Sequence, residues 1–360
     1  MTDTVQTAVI GVTGYAGAEL ARLLLRHPRL KGTPPVFAGR VDEKDAARGG
    51  IPLGEIHPHL VDSLGSGALK QEPFSWEMLA SRGVKVLFLA TPHEQSREWV
   101  PEALAHGLRI IDLSGAWRLT EASNRAVYAF EDDGPTVAAS IKQKAAAIQA
   151  KAVYGMPELH REQIANTQLV ANPGCYATSV ILPLRPLVAA GLVDLDYGIV
   201  ADAKSGVSGA GKTPTAKTHY MACADNFSAY GVFTHRHTGE LLEQIGLSEI
   251  TFTPHLLPIP RGILSTIYLR FKEPQTHESV AKVYREFFAN SPLVRLYDKA
   301  LPQIQHIVRT NYADIGFQLD STGRRAVIVS CLDNLLKGAS GQAVQNLNVM
   351  MGWPESEGLE

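Results

Sequence analysis

The 360-residue sequence predicts an α/β fold: a doubly wound parallel sheet followed by an α+β domain. Three observations predict it. Short apolar strands alternate with helical patterns through the first part of the chain. A glycine-rich turn joins the first strand to the first helix. After residue 175, strand patterns succeed one another with few helices between them.

The elements can be justified in order. Residues 7–10 are a short apolar strand, and Gly11-Val12-Thr13-Gly14-Tyr15-Ala16-Gly17 is a turn. Residues 18–27 read as a helix with Leu20, Leu23 and Leu24 on one face. A second strand over 35–38 ends at Gly39-Arg40. Residues 85–90 form the unbroken apolar run expected of a strand buried on both faces. A helix from Thr91-Pro92-His93-Glu94 to about residue 105 and a strand over 108–113 follow. This alternation is of the Rossmann type. Pro173-Gly174 then breaks the chain between a short strand at 168–171 and an apolar helix opening at Cys175. Beyond it, strands are expected over 199–203, 249–252, 264–271, 304–309, 313–319 and 326–331, in a largely antiparallel sheet. A last helix over 335–350 is expected to return to the first domain. The expected division is therefore residues 1–155 with 335–360 for a nucleotide-binding unit, and 156–334 for a substrate and catalytic unit.

Composition narrows the partners. Lys plus Arg number 34 against 36 Asp plus Glu, so the chain lacks the basic excess of a nucleic-acid binder. No apolar run approaches the roughly 20 residues needed to cross a bilayer. Met1-Thr2-Asp3-Thr4-Val5-Gln6 has neither the basic start nor the apolar core of a signal peptide. Cys175, Cys223 and Cys331 have no metal-ligand spacing, and a reducing, cytoplasmic setting with no bound metal is expected.

Two loops carry phosphate chemistry. The G-x-x-G-x-x-G turn places Gly11, Thr13, Gly14, Tyr15, Ala16 and Gly17 where a dinucleotide pyrophosphate meets a helix start. Arg40, at the end of the second strand, suits a 2′-phosphate and points to NADP(H), although Asp42 nearby could serve the ribose hydroxyls of NAD. The second loop, Gly206-Val207-Ser208-Gly209-Ala210-Gly211-Lys212-Thr213, matches the nucleoside-triphosphate loop G-x-x-x-x-G-K-T. An ATP-dependent phosphotransferase is the function it would carry. Pro214 follows at once, however, and no amphipathic helix succeeds it. The preferred reading is a loop whose amides and Ser208 hold a substrate phosphate.

Cys175 is the candidate nucleophile. A thiol at a helix N-terminus meets free amides and the positive end of the dipole, which lowers its pKa and favours the attacking thiolate. His235-Arg236-His237 offers two histidines, His235 and His237, of which one is expected to face the site as acid/base and the other to contact substrate. Arg118, after a strand's carboxyl end, is placed to grip a carboxylate bidentately. Asn334, at a strand-to-helix transition, is either an N-cap or a partner for nicotinamide.

Taken together these residues resemble the N-acetyl-gamma-glutamyl-phosphate reductases of arginine biosynthesis, relatives of the aspartate-semialdehyde dehydrogenases. The resemblance rests on G-x-x-G-Y-x-G at 11–17, D-L-S-G-x-x-R-L at 112–119 and Y-G-x-P-E-L at 154–159. It continues with N-P-G-C-Y at 172–176, S-G-x-S-G-A-G at 205–211 and H-R-H-T at 235–238. P-R-G-I-L at 260–264 and D-N-L-x-K-G-A at 333–339 complete it. The family pattern often has proline after H-R-H-T, where this chain has Gly239. The resemblance implies a semialdehyde-dehydrogenase type of second domain that also oligomerises, to a dimer or tetramer. It implies Cys175 as nucleophile, His235 as acid/base, an acyl phosphate as substrate and inorganic phosphate as product. Aspartate-semialdehyde dehydrogenase is the alternative within the same class.

Overall fold

The computed structural model describes residues 4–60, 69–134 and 137–360; Met1 to Asp3, read above for a leader, lie outside the described residues. Strands β1 (Thr7–Ile10), β2 (Val36–Gly39), β3 (Ile51–Pro52), β4 (Lys70–Pro73), β5 (Val86–Leu89), β6 (Arg109–Asp112), β7 (Ala152–Tyr154) and β8 (Leu169–Ala171) form the first sheet. Their order is β3-β4-β2-β1-β5-β6-β8-β7. All pairings are parallel except β3 with β4.

Alternation along β1 assigns its two faces. Val9 joins Phe37, Phe88, Ile111 and Val170 beneath Leu20 and Leu24 of the helix Tyr15–Arg26. Ala8 and Ile10 face the other way, with Leu87, Leu89 and Ile110, against Val100 and Ala103 of the helix His93–Ala105. Every residue of β1, β2 and β5 is buried, which is why these strands read as continuous apolar runs. Each large apolar side chain so buried contributes about 1.5–3 kcal/mol. The helix Gly341–Met351 adds Ala343, Val344 and Leu347 to the first of these clusters. Ser340 Oγ donates to the Ala16 carbonyl at 2.7 Å, tying this end of the chain to the start of the first helix.

The second sheet holds β9 (Val200–Gly206), β10 (Ser228–Ala229), β11 (Thr251–Leu257), β12 (Ile263–Arg270), β13 (Val294–Leu296), β14 (Ala313–Leu319) and β15 (Arg325–Leu332). Its order is β10-β11-β9-β12-β15-β14-β13, antiparallel apart from β11 with β9 and β13 with β14. The helix Cys175–Ala189 lies across it, with Val180, Ile181, Leu184 and Leu187 packed among Ala201, Ile263, Ile267 and Ile328. That packing holds Cys175 at the edge of the second core, facing the first sheet.

One expected strand is absent. Residues 304–309 form a short 3-10 turn, Ile304–His306, instead. Ile304 and Ile307 share one side of it and cover Val329 and Cys331. The apolar residues were the right ones, but their three-residue spacing suits a turn of helix, not a strand.

Candidate active site

The dinucleotide turn is shaped by close approach. Gly11 has φ 94°, and a Cβ there would lie 2.3 Å from the Ala90 carbonyl oxygen. A Cβ on Gly17 would lie 2.1 Å from the Gly11 carbonyl oxygen, so no side chain fits between turn and helix. The helix Tyr15–Arg26 starts on Gly14 with no side-chain cap and no acid in its first turn. Among the described residues the N–H groups of Tyr15, Ala16 and Gly17 donate to no backbone carbonyl outside the helix. An uncapped helix start with free amides is a cradle for an anion.

Two cavities meet this cradle. One, of 480 Å³, runs from Gly11 and Thr13 past Arg40 to Phe74 and Trp99. The other, of 350 Å³, runs from Gly14–Gly17 to Cys175, Arg236 and His237. Arg40 is exposed, and Asp42 caps the next helix by accepting from Asp45 N at 2.7 Å. The acid that would favour an unphosphorylated ribose is therefore spent on a cap, and the cation is left at the mouth. These residues fit a dinucleotide that carries a 2′-phosphate.

Cys175 opens its helix on Gly174, again without a side-chain cap. A Cβ on Gly174 would lie 2.4 Å from His237 Nε2, and one on Gly338 would lie 2.8 Å from Cys175 Cβ. The turn is thus enclosed by the histidine pair on one side and the 333–340 segment on the other. Glu240, fully buried, holds it in place. Its Oε2 accepts from Gly174 N at 2.9 Å and from the Tyr154 hydroxyl at 2.6 Å, while Oε1 accepts from Arg118 Nη1 at 3.2 Å. Burial and the adjoining Glu240 push the Tyr154 hydroxyl well up, so it stays a donor.

Enclosure reverses one expectation. The helix start was expected to lower the Cys175 pKa; burial instead pushes the thiol up to about 11. The Tyr176 N–H and the charges of Arg118 and Arg236 oppose the shift without overcoming it. Desolvation of an anion outweighs the amides and the dipole. The sulfur is therefore a thiol at neutral pH and needs a base as it attacks. Two neutral imidazoles stand beside it. Burial, then Arg236, takes His235 down to about 4, and burial, then His235, takes His237 well below its ordinary value. His235 Nδ1 accepts from His237 N at 3.1 Å, which leaves the proton of its neutral ring on Nε2.

The remaining expected residues reach the site in altered roles. Arg118 lines the cleft, but Nε donates to Asn172 O at 2.7 Å and Nη2 to Leu113 O at 2.8 Å, with Nη1 on Glu240. A bidentate grip on a ligand is given up because the buried charge is satisfied internally. Ser208 lines the cleft too, yet its N–H donates to Pro260 O at 3.3 Å and its hydroxyl accepts from Asn334 Nδ2 at 2.9 Å. Asn334 Oδ1 accepts from Gly262 N at 2.8 Å. The cap at that transition is Asp333, which accepts from Leu335 N and Leu336 N. Asn334 lines the cleft with Gly14–Gly17, its amide oriented by two loops.

The G-x-x-x-x-G-K-T string also resolves. Gly206 ends β9, residues Val207–Ala210 make a 3-10 turn, and no long helix follows. A Cβ on Gly206 would strike the Arg261 backbone N at 2.7 Å, so that glycine serves packing. Lys212 Nζ donates to the Thr13 carbonyl at 3.3 Å, reaching across to the dinucleotide turn.

Several site residues were not singled out from the sequence. Glu240 sat unassigned two residues beyond H-R-H-T. Lys337 and Glu158 form a fully buried pair at 2.6 Å behind the 333–340 segment. Their only signal was membership of two quoted motifs. Arg261 pairs with both Glu19 on the first helix and Asp333. Among the described residues, no group of His, Cys, Asp and Glu is arranged to hold a metal ion.

This is a two-domain architecture in which a dinucleotide cradle and a cysteine-bearing helix share one cleft. The model for "Semialdehyde dehydrogenase, NAD binding domain" matches residues 6–167, and that for "Semialdehyde dehydrogenase, dimerisation domain" matches 175–334. The chain belongs to the semialdehyde dehydrogenase family. It is 42% identical to the N-acetyl-gamma-glutamyl-phosphate reductase of Desulfotalea psychrophila, over 99% of this chain and 98% of that protein. It is 40% identical to the protein of the same name from Methanocaldococcus jannaschii, over 98% and 97%. Aspartate semialdehyde dehydrogenase II of Vibrio cholerae shares the fold, with TM-score 0.69 at 16% identity over 97% of this chain and 99% of that one. So does the Candida albicans aspartate semialdehyde dehydrogenase crystallised with NADP, with TM-score 0.66 at 15% identity over 96% and 98%. No helix among the described residues is long and apolar enough to cross a membrane.

Proposed function

We propose that this chain reduces N-acetyl-gamma-glutamyl phosphate to N-acetyl-L-glutamate 5-semialdehyde, with NADPH as donor and release of phosphate, in arginine biosynthesis. The observation that carries the reading is the single cleft lined by both Gly14–Gly17 and Cys175. Its support in sequence is identity of about 40% to full-length relatives that bear this reductase name.

Cys175 attacks the acyl-phosphate carbonyl carbon; the C–O bond to phosphate breaks and a thioester forms. The thiol proton passes to the neutral imidazole pair as the sulfur attacks. Among the described residues the Tyr176 and Ala177 amides, at the start of the Cys175–Ala189 helix, donate to no backbone carbonyl outside it, and they are the groups available to the developing oxyanion. Gly11–Gly17 and Arg40 would hold NADPH, whose nicotinamide would supply the hydride for the thioester carbonyl. The His235 Nε2–H then orients the thiohemiacetal oxygen by hydrogen bonding, and as collapse frees the aldehyde the proton taken up by the imidazole pair returns to the departing sulfur, restoring the thiol. Glu240 and Arg118 keep the Cys175 turn in place throughout.

In this reading residues 1–155 with 335–360 are the cofactor domain and 156–334 the catalytic domain, which also pairs copies into a homo-oligomer. The chain works in the cytoplasm, on small molecules. The test is phosphate-dependent NADP reduction with N-acetyl-L-glutamate 5-semialdehyde. Turnover is expected for the native chain and not for Cys175→Ser; equal turnover by both proteins sinks the thioester route. Higher turnover of aspartate semialdehyde would instead favour the sister activity.

A further inference from the structure

We propose that the acyl substrate lies in a second cavity beyond Cys175, its phosphate held by Arg236 and its α-carboxylate held by Lys217. This rests on the function proposed above, and it says how that substrate is recognised.

The cavity has a volume of 470 Å³ and lies mainly within the catalytic domain, a size suited to a small metabolite. It shares only Cys175, Gly209, Arg236 and His237 with the cleft that carries the dinucleotide cradle. The sulfur is therefore a junction: the cofactor approaches from one side, and the acyl chain has the other. Among the described residues no carboxylate lines this far cavity, while two cations do. Among the described residues, neither Arg236 nor Lys217 forms a salt bridge. Arg118, the cation first expected to take a ligand carboxylate, is committed to Asn172, Leu113 and Glu240.

The substrate also has two anionic ends, and position divides the cations between them. Arg236 stands on both cavities, and its charge acts on Cys175 and His235. That puts it beside the carbon that bears the phosphate, and its planar fork suits phosphate oxygens. Lys217 lines the far cavity alone. The α-carboxylate hangs from the third carbon beyond the reacting carbonyl, away from the sulfur. Thr215 Oγ1 accepts from Lys217 N at 3.3 Å and from Thr218 N at 3.2 Å, which fixes the backbone that presents the ammonium. Tyr230, Val127 and Leu256 also line this cavity and offer apolar surface to the methylenes and the acetyl group.

A crossed kinetic experiment tests the assignment, using phosphate-dependent NADP reduction. It compares N-acetyl-L-glutamate 5-semialdehyde with 4-acetamidobutanal, the same aldehyde without its α-carboxylate. Arg236→Met should raise the KM for phosphate roughly tenfold or more and leave the preference between aldehydes intact. Lys217→Met should cut that preference roughly tenfold, through the aldehyde KM, and leave the phosphate KM intact. Lys217→Arg should restore the preference. Equal losses on both aldehydes in Lys217→Met, exchange of the two effects, or a fall in kcat alone would overturn the assignment. A native chain that turns over neither aldehyde removes the proposed function itself; a native chain that does, beside a Lys217→Met variant with its preference unchanged, removes only this inference.

Discussion

The helix starts at Tyr15 and Cys175 are built alike and behave differently. Both follow a glycine N-cap, lack a side-chain cap and carry no acid in the first turn. Residues of both starts line the same cleft. Around Gly14 a Cβ would find nothing nearer than 3.8 Å, whereas around Gly174 it would meet His237 at 2.4 Å. The first start is open and can receive an anion from solvent. The second is hemmed in by His237 and Gly338 and braced by Glu240, with Cys175 half-buried, so an anion there is less well solvated. A helix dipole is worth at most about 2 kcal/mol; desolvation of a buried charge costs more and decides the sign at Cys175.

The comparison breaks most directly at the sulfur. Cys175→Ser should lose activity by 10³-fold or more, the scale seen when a covalent nucleophile is removed. Its affinity for NADPH, read by fluorescence titration, should be unchanged because the open start is untouched. Loss of cofactor binding as well would mean that the two helix starts do not act separately.

Next in size is Glu240→Gln. It leaves the Arg118 charge buried and unpaired, a change that costs about 3–5 kcal/mol. Denaturant unfolding should show that loss, while Glu240→Asp should recover part of it. Unaltered stability in Glu240→Gln would mean that Glu240 is not the residue closing the second start.

Titration sharpens the contrast further. Native His235 titrates at about 4, below the ordinary 6.5, so the unfolded chain binds the extra proton between those values. Stability contributed by its burial is complete above pH 6.5 and falls as pH drops towards 4, by up to about 1.4 kcal/mol per unit. His235→Asn should flatten that acid limb in urea titrations at pH 5 and 7. Cys175 runs the other way. Its raised pKa, about 11, means the native chain holds a proton the unfolded chain releases above pH 9, so stability falls from pH 9 towards 11. The rate of Cys175 alkylation by iodoacetamide should keep rising over that interval. A plateau below pH 8 would show the second start to be as open to charge as the first.

The smallest effect belongs to the open side. Arg40→Ala should weaken NADP about tenfold against NAD, since one exposed cation contributes about 1.4 kcal/mol at most to the discrimination. An unchanged ratio of the two Kd values would move 2′-phosphate recognition elsewhere along the 480 Å³ cavity.

Much of this was legible in the sequence, for a physical reason. Strand and helix periods, the glycines of 11–17 and the Pro173-Gly174 break are local, and the chain writes them in adjacent residues. Even the failure at 304–309 was local, a choice between two short periods. The partners of Arg118, by contrast, come from residues 5, 54 and 122 positions away. Nothing near Arg118 in sequence announces them, so a side chain with the right chemistry for a ligand was read as free. The bonds that orient the Asn334 amide are equally remote, with Gly262 and Ser208 each taking one end of it.

The sequence by itself determined the strands and helices that frame the cleft, the dinucleotide turn, the placement of Cys175 at a helix start and the family. Only the tertiary structure decided that the thiol is held protonated, that Asp42 is a cap and Arg118 a brace, and that Glu240 closes the turn. Desolvation and hydrogen-bond satisfaction sum over groups that folding brings together, and neighbours along the chain do not contain that sum.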